Sequence, residues 1–534
     1  MGNMRTATVA GIAALAMGLT ACSAGGGTGA ANGSGSSAAP RNGGHVTVAL
    51  AEAPDALDPT TAQTYVGRVV LINMCQKLYD INANAQIVPE LATGMPQISK
   101  DGKAYTLHLR HGVRFNDGTK FDAAAVKTTL ERDKNDKRSS RASSLSTLQK
   151  ITVANPTTIK LTLSKPYAPL TAVLAARAGM IESPAQLKKL GDNFSKHPVC
   201  VGPFSFASRA SSDRIELKKS QYYYDKSKVH LDRVTFEVVT QPNVRATNIR
   251  AGSIDVADRI QPPQVPSLRS AQGVTLKSAV SLGYQGITIN VANSNGAGKP
   301  GNHTVGTPLA QEQLRKAFEL SLDRNTINKA VFDGMYVPGC TPISPASPFH
   351  TNAPCSKPDL AKAKQIVKAS GMPTPITVNL VVQAANNINA KLAQVIQQMA
   401  GRAGFRVHVA PTEFTTALSQ AQAGKFDAFQ IGWSGRIDPD QNIAPFWGAK
   451  SLLNYSGANY PDVTSLLAKA RSTTDMATRK QLYHQLVQTL NKHLNIIYLY
   501  HQKFILGIRS NLTGVHYYPD NLIRLQSAGF TSGS

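Results

Sequence analysis

Residues 104–132 read AYTLHLRHGVRFNDGTKFDAAAVKTTLER, and the fold class turns on them. Tyr105, Leu107 and Leu109 alternate with Thr106, His108 and Arg110, the period-two pattern of a strand with one buried face. Asn116-Asp117-Gly118-Thr119 follows. In such a turn the aspartate closes a local hydrogen bond and the glycine accepts a positive φ. Asp122 then stands where its carboxylate can accept the free N–H groups of a helix carrying Val126 and Leu130 on its apolar face.

The alternation of strand and helix continues outward. Strands are predicted at 159–163 (IKLTL), 214–218 (RIELK) and 234–239 (VTFEVV). Thr307-Pro308 is predicted to cap and open a helix with Leu314, Ala317 and Phe318 on one face. Leu392, Val395, Ile396 and Met399 repeat that helical stripe, GFRVHVA (404–410) gives a strand, and Leu482, Leu486, Val487 and Leu490 mark a late amphipathic helix. No repeat period appears. A single core rarely grows past about 250–300 residues, and this chain has 534. The expectation is an α/β or α+β protein of more than one lobe.

Hydrophobic residues make up 42%, enough for sizeable cores, and the formal charge is +25. The basic residues are spread along the chain. No zinc-finger spacing, basic helix or Gly-aromatic RNA motif accompanies them, so nucleic-acid binding is not expected. A basic protein in an anionic cell envelope fits better.

The N-terminus supports that setting. Arg5 precedes an apolar run from Ala7 to Ala21, shorter than the roughly 20 residues a bilayer span needs and suited to a secretory signal. It ends in LTAC, similar to a bacterial lipobox, which makes Cys22 the expected lipidation site. Met-Gly-x-x-x-Thr at the start also satisfies the myristoylation pattern, but the apolar run favours export. The signal peptide is placed at 1–21 and a Gly/Ala/Ser-rich tether at 22–44. No later stretch is apolar enough to span a membrane. Four cysteines remain, an even number that suggests disulfides in an exported protein. Cys340 and Cys355 bracket a Pro-rich loop that a bridge would staple, and Cys75 and Cys200 would pair by elimination. Buried free thiols are the alternative.

Enzyme motifs fail. GAGKPG (296–301) matches Gly-x-Gly-x-x-Gly, but Pro300 and Asn302 stand where a dinucleotide site needs a helix to begin, so a surface loop is expected. GWSG (432–435) is not a nucleophile elbow. The twelve histidines contain no metal-binding spacing; His484, His493 and His501 could meet only in space. No catalytic residue, metal site or cofactor is expected.

Four stretches, in order, resemble the extracytoplasmic solute-binding proteins of dipeptide/oligopeptide ABC importers, family 5. YTLHLRHGVRFNDGTKFDAAAV is similar to the family's LR-x-G-V-x-F-x-DG hallmark. VCVGPFSFASRASSDRIELKKSQYYYD is similar to its GTGPY…NPdYw segment, with Cys200 where Thr or Gly is usual. TPLAQEQLRKAFELSLDRNTI and KFDAFQIGWSGRIDPD complete the series. The resemblance runs from about 46 to 528 and implies a two-lobed, Venus-flytrap fold of the periplasmic-binding-protein type II kind. Lobe I would comprise 45–83, 199–282 and 500–534, with an α+β domain inserted at 84–198; lobe II would be 283–499.

The resemblance also implies a ligand site. Trp433 matches an aromatic that lines the family's pocket, its face giving contact area and its indole N–H free to meet a ligand carbonyl. Peptide-binding members carry an acid three positions on to hold the peptide's amine. Here that position is Arg436, which suits a carboxylate or phosphate. Ser434 lies between them. Asp438 could orient Arg436 or take the amine. Alternatively Arg436 pairs with Asp438 or Asp440 merely to stiffen the turn. Thr64 and Tyr65 after the first strand, and Tyr284 at the entry to lobe II, are further candidates, with core packing as the alternative. The implied function is a monomeric, lipid-anchored binding protein delivering a peptide or peptide-like ligand to an ABC transporter permease. A metal chelate, sugar or anionic small molecule is the alternative cargo, and an exported hydrolase on the same fold a more distant one.

Overall fold

The computed structural model describes residues 39–210, 213–299, 305–384 and 386–531. Cys22 and the signal segment 1–21 lie outside them, as do residues 22–38 of the tether and residues 300–304 that follow GAGK.

The 104–132 stretch forms as its pattern predicts. Strand Ala104–His108 buries Tyr105 and Leu107, and helix Ala123–Asn135 follows. Asp122 caps that helix by accepting from Ala125 N at 3.0 Å. The strand joins Gln97–Ile98, Leu148–Asn155 and Thr158–Leu163 in a four-stranded antiparallel sheet, with the helix packed against it. Tyr105, Leu107, Val126, Leu130, Ile159 and Leu161 share one core.

Two larger sheets hold most of the remaining strands. In the seven-stranded sheet, His45–Leu50 lies parallel to both Arg233–Val238 and Val256–Ala257, while Val274–Val280, Lys503–Arg509, Arg214–Lys219 and Phe204–Ala210 pair antiparallel. Its inward residues Val46, Val48 and Leu50 meet Val66, Val69 and Val70 of helix Tyr65–Leu71. The six-stranded sheet is centred on Tyr284–Ile289, flanked by Ala428–Trp433 and Ile496–His501. Ile376–Gln383 and Phe405–Thr412 add a parallel pair, as expected where helices such as Asn387–Arg402 cover the face.

One antiparallel pair runs from one sheet into the other. Val274–Val280 and Lys503–Arg509 pair in the first sheet, and Tyr284–Ile289 and Ile496–His501 in the second. Only residues 281–283 and Gln502 lie between, tied by Ser281 N donating to Gln502 O at 2.9 Å and by His501 Nδ1 donating to Gly283 O at 2.7 Å. Two such short strands are a hinge by construction: rotation there reorients whole sheets with few dihedral changes.

Cys75 is bonded to Cys200, and Cys340 to Cys355. The first bridge ties together the points where the chain leaves for the four-stranded region and returns from it. Thr307 departs from its expected role. Its hydroxyl donates to Asn290 O at 3.1 Å; Pro308–Ala310 is a 3-10 turn, and the helix begins only at Glu312. Tying down the preceding loop outweighed capping. Among the described residues no helix is long and apolar enough to cross a membrane.

Candidate functional site

The loop after strand Ala428–Trp433 faces the first lobe. Trp433 ends its strand directly opposite Tyr284. The chain then turns through Gly435, at φ +75°, where a Cβ would stand 2.2 Å from the Leu282 carbonyl carbon; only glycine lets the loop pass so close to the hinge. Asn442, on helix Asp440–Trp447, clamps the loop. Its side-chain oxygen accepts from Arg436 N at 2.7 Å and from the Trp433 indole at 3.1 Å, and its amide donates to Arg436 O at 2.8 Å. The indole N–H expected to meet a ligand is thus committed to Asn442. The Trp433 ring instead carries the Arg436 guanidinium, 4.5 Å from its centroid, a cation–π platform.

The aspartates of the loop turn away from Arg436. Asp438 pairs with Arg479 at 2.8 Å and also accepts from Tyr483 OH and Asp440 N. Asp440 pairs with Arg471 at 2.6 Å and accepts from Tyr167 OH at 3.2 Å. The turn-stiffening pair of Arg436 with Asp438 or Asp440 does not form. The expected ligand role of Asp438 gives way to a buried structural ion pair, because Arg479 and Tyr483 already fill its oxygens.

Arg436 is 7% exposed yet has no carboxylate within ion-pair distance among the described residues. Its Nη1 donates to Gly435 O at 2.6 Å and to Ser434 Oγ at 3.3 Å. Ser434 Oγ also accepts from Nη1 of Arg68, at 3.5 Å from the first lobe. Arg177, 3% exposed, donates among the described residues only to the carbonyls of Thr64 and Gln63. Arg141 reaches Ala62 O, and its Nε is buried without a partner. Burial, then the neighbouring Arg141, Arg436 and Arg68, push Arg177 well below the usual arginine range. Burial, then Arg68 and Arg141, do the same to Arg436. Four guanidiniums from three parts of the chain therefore share one poorly neutralised space. A small cavity of ≈ 20 Å³ lies beside Arg68 and Arg177, lined also by Lys77, Met180, Asp520 and Leu522.

The remaining expected contacts are otherwise engaged. The Thr64 hydroxyl caps helix Tyr65–Leu71 and donates to Asp55 at 2.6 Å. Tyr65 is packed in the first lobe's core, its hydroxyl on Asn521 O at 2.5 Å. Tyr284 is edge-on to Phe446 and Tyr498 in the second lobe's core. Tyr65 and Tyr284 follow the packing alternative, whereas Thr64 is a half-buried helix cap. His484, His493 and His501 each have their own partner, Thr351, Asp462 and Gly283. Among the described residues no group of three or more His, Cys, Asp or Glu is arranged to hold a metal ion.

A family model described as "Bacterial extracellular solute-binding proteins, family 5 Middle" matches residues 86–453. The chain belongs to this family. Family 5 proteins are extracytoplasmic substrate-binding components of ABC importers, not enzymes, and this family 5 protein has curated and structural relatives along nearly its whole length. It is 27% identical over 486 residues to the glutathione-binding protein GsiB of Salmonella paratyphi A, covering 89% of this chain and 92% of that protein. The oligopeptide-binding protein AppA of Bacillus subtilis, solved with a nonapeptide, superposes with a TM-score of 0.81 at 20% identity, covering 92% and 99%. AgaA from A. tumefacien R10, solved with agropinic acid, gives 0.78 at 24% identity over the same shares. The two-lobed fold is shared with both.

Arg68, Arg141, Arg177 and Asn442 are residues of this candidate site that the sequence reading missed. Two had a signal. Arg68 stands alone in YVGRVVLI and Arg177 in VLAARAGMI, each a single cation inside an apolar run. Such an arginine must either find a buried partner or face a polar cavity. Arg141 and Asn442 carry no comparable mark.

Proposed function

We propose that this family 5 protein captures a peptide or peptide-like solute between its lobes and delivers it to an ABC transporter permease. The proposed lobe I is 45–83, 199–282 and 500–534 with 84–198 inserted, and lobe II is 283–499. Cys22 carries the lipid anchor and 22–44 the tether to the membrane surface. Trp433, Ser434 and Arg436 form the lobe II side of the site.

The observation that carries this reading is the contact of Arg436 and Arg68 with one hydroxyl, that of Ser434, from opposite lobes. Lobe closure around a solute would bury both cations and strengthen each ion pair by excluding water. The glutathione-binding relative favours a small peptide carrying free carboxylates. The agropinic-acid complex of AgaA keeps a non-peptide acid as the second reading. Native mass spectrometry of protein purified without refolding, with Cys22→Ser alongside it, tests both parts. The expected result is a retained small solute in the cleft-intact protein, and release of the Cys22→Ser variant from the membrane fraction. A protein that carries no solute and binds none from a peptide panel would refute the capture. Unchanged membrane attachment of Cys22→Ser would refute the anchor.

A further inference from the structure

We propose that the solute is a compact polyanion, bearing at least two negative groups, gripped jointly by Arg68, Arg177 and Arg436 with Arg141 behind them. This rests on the solute-binding reading and goes beyond it in fixing the ligand's charge.

The reasoning is a charge balance across the cleft. None of these four arginines has a carboxylate within ion-pair distance among the described residues, and Arg68, Arg177 and Arg436 are each under 9% exposed. The nearby carboxylates offset only part of this charge: Asp133, near Arg141, accepts from the Thr60 hydroxyl at 2.6 Å and keeps Oδ2 unpartnered among the described residues. Asp55 accepts from the Thr64 hydroxyl and from Gln63 N, both at 2.6 Å. Asp58 is held by Arg132 at 2.6 Å. Asp520, on the pocket wall, is held by Arg524 at 2.7 Å, and Lys77 is paired with Asp80. The cleft thus presents a net surplus of positive charge in a space shielded from water. An ordinary zwitterionic peptide offers one carboxylate and brings an ammonium into a site already rich in cations. A ligand with two or more carboxylates, or a phosphate, matches the surplus.

The donor geometry agrees. Among the described residues the Arg68 side chain makes one long hydrogen bond, of 3.5 Å. Arg436 uses Nη1 alone. The remaining N–H groups of each planar fork suit bidentate capture of carboxylate or phosphate oxygens. Arg245 and Arg315 show what a buried arginine does when its role is structural. Arg245 is saturated by the carbonyls of Val239, Thr240, Asp258 and Arg259. Arg315 is bound by those of Leu309, Ala310 and His493. The cleft arginines have no such saturation.

The test is calorimetric titration of the full chain with Glu-Ala-Glu, Ala-Ala-Ala and Lys-Ala-Lys, and with glutathione, citrate and pyrophosphate. Each is paired with apo thermal melts of wild type, Arg177→Met, Arg436→Met and Arg436→Lys. At least one polyanion should bind ~100-fold more tightly than Ala-Ala-Ala, with affinity falling as salt rises. Arg177→Met and Arg436→Met should each weaken it at least ~30-fold, and Arg436→Lys should recover part. Both Met variants should melt no lower than wild type in the apo form, since each removes a repelling buried charge. Whether Glu-Ala-Glu or citrate and pyrophosphate bind identifies a peptide or non-peptide source. Equal binding of Ala-Ala-Ala and every polyanion would overturn the inference while leaving solute capture intact. So would Met variants that melt lower with an unchanged preference. Failure of the whole panel together with an empty native mass spectrum would overturn both.

Discussion

The loop 433–440 has a front and a back that treat arginine differently. At the back, Arg479 and Arg471 are paired with Asp438 and Asp440, and Tyr483 and Tyr167 complete the carboxylates' hydrogen bonds. At the front, Arg436 sits on Trp433 beside Arg68 with no acid in reach among the described residues. Both faces are buried. Burying an ion is costly unless it is paired and hydrogen-bonded, so the back is a finished structural element and the front is one whose electrostatics a ligand would complete. The same segment therefore holds the lobe together on one side and presents unneutralised charge on the other.

That contrast is broken most severely at the back. Arg479→Ala strips Asp438 of its one cation partner among the described residues and should lower stability by about 3–5 kcal/mol, measured by chemical denaturation. A loss under about 1 kcal/mol would mean that the back is no more finished than the front.

The second test separates pH effects from the arginine surplus. Burial, with His350 adding in the same direction, holds His501 down to about 4. Its folded value lies below the ordinary histidine value. Its contribution to stability is therefore whole above pH 6.5 and is lost as pH falls through 4, ~3 kcal/mol in all at about 1.4 kcal/mol per unit. Melting temperature between pH 7 and 4 should fall less steeply in His501→Gln than in wild type. Arginine charge does not titrate in this window, so a parallel pair of profiles would remove the hinge histidine from the account.

The smallest effect sharpens what an arginine without an acid means. Arg315→Met frees three backbone carbonyls and should cost about 2 kcal/mol of stability, with polyanion affinity unchanged in the same titration. A variant that instead lost affinity would show that carbonyl saturation does not distinguish structural from ligand-facing arginines.

The sequence alone determined the local elements and their order. Alternation at Tyr105, Leu107 and Leu109, and the stripe at Leu392 and Ile396, are short-range patterns, because strand and helix periodicities are properties of neighbouring residues. The cap at Asp122 was legible for the same reason. Thr307 was not, since its competing acceptor, the Asn290 carbonyl, is brought within reach only by folding. The site divided along the same line. Trp433, Ser434 and Arg436 were legible because they lie in one quoted loop. That Asp438 belongs to Arg479, that Tyr65 and Tyr284 are core, and that Arg68, Arg141 and Arg177 join Arg436, was decided only by tertiary structure. Electrostatic partnership depends on distance through space and on burial, and neither can be read from spacing along the chain when the partners are 41 residues apart, as Asp438 and Arg479 are, or 366, as Arg68 and Ser434 are.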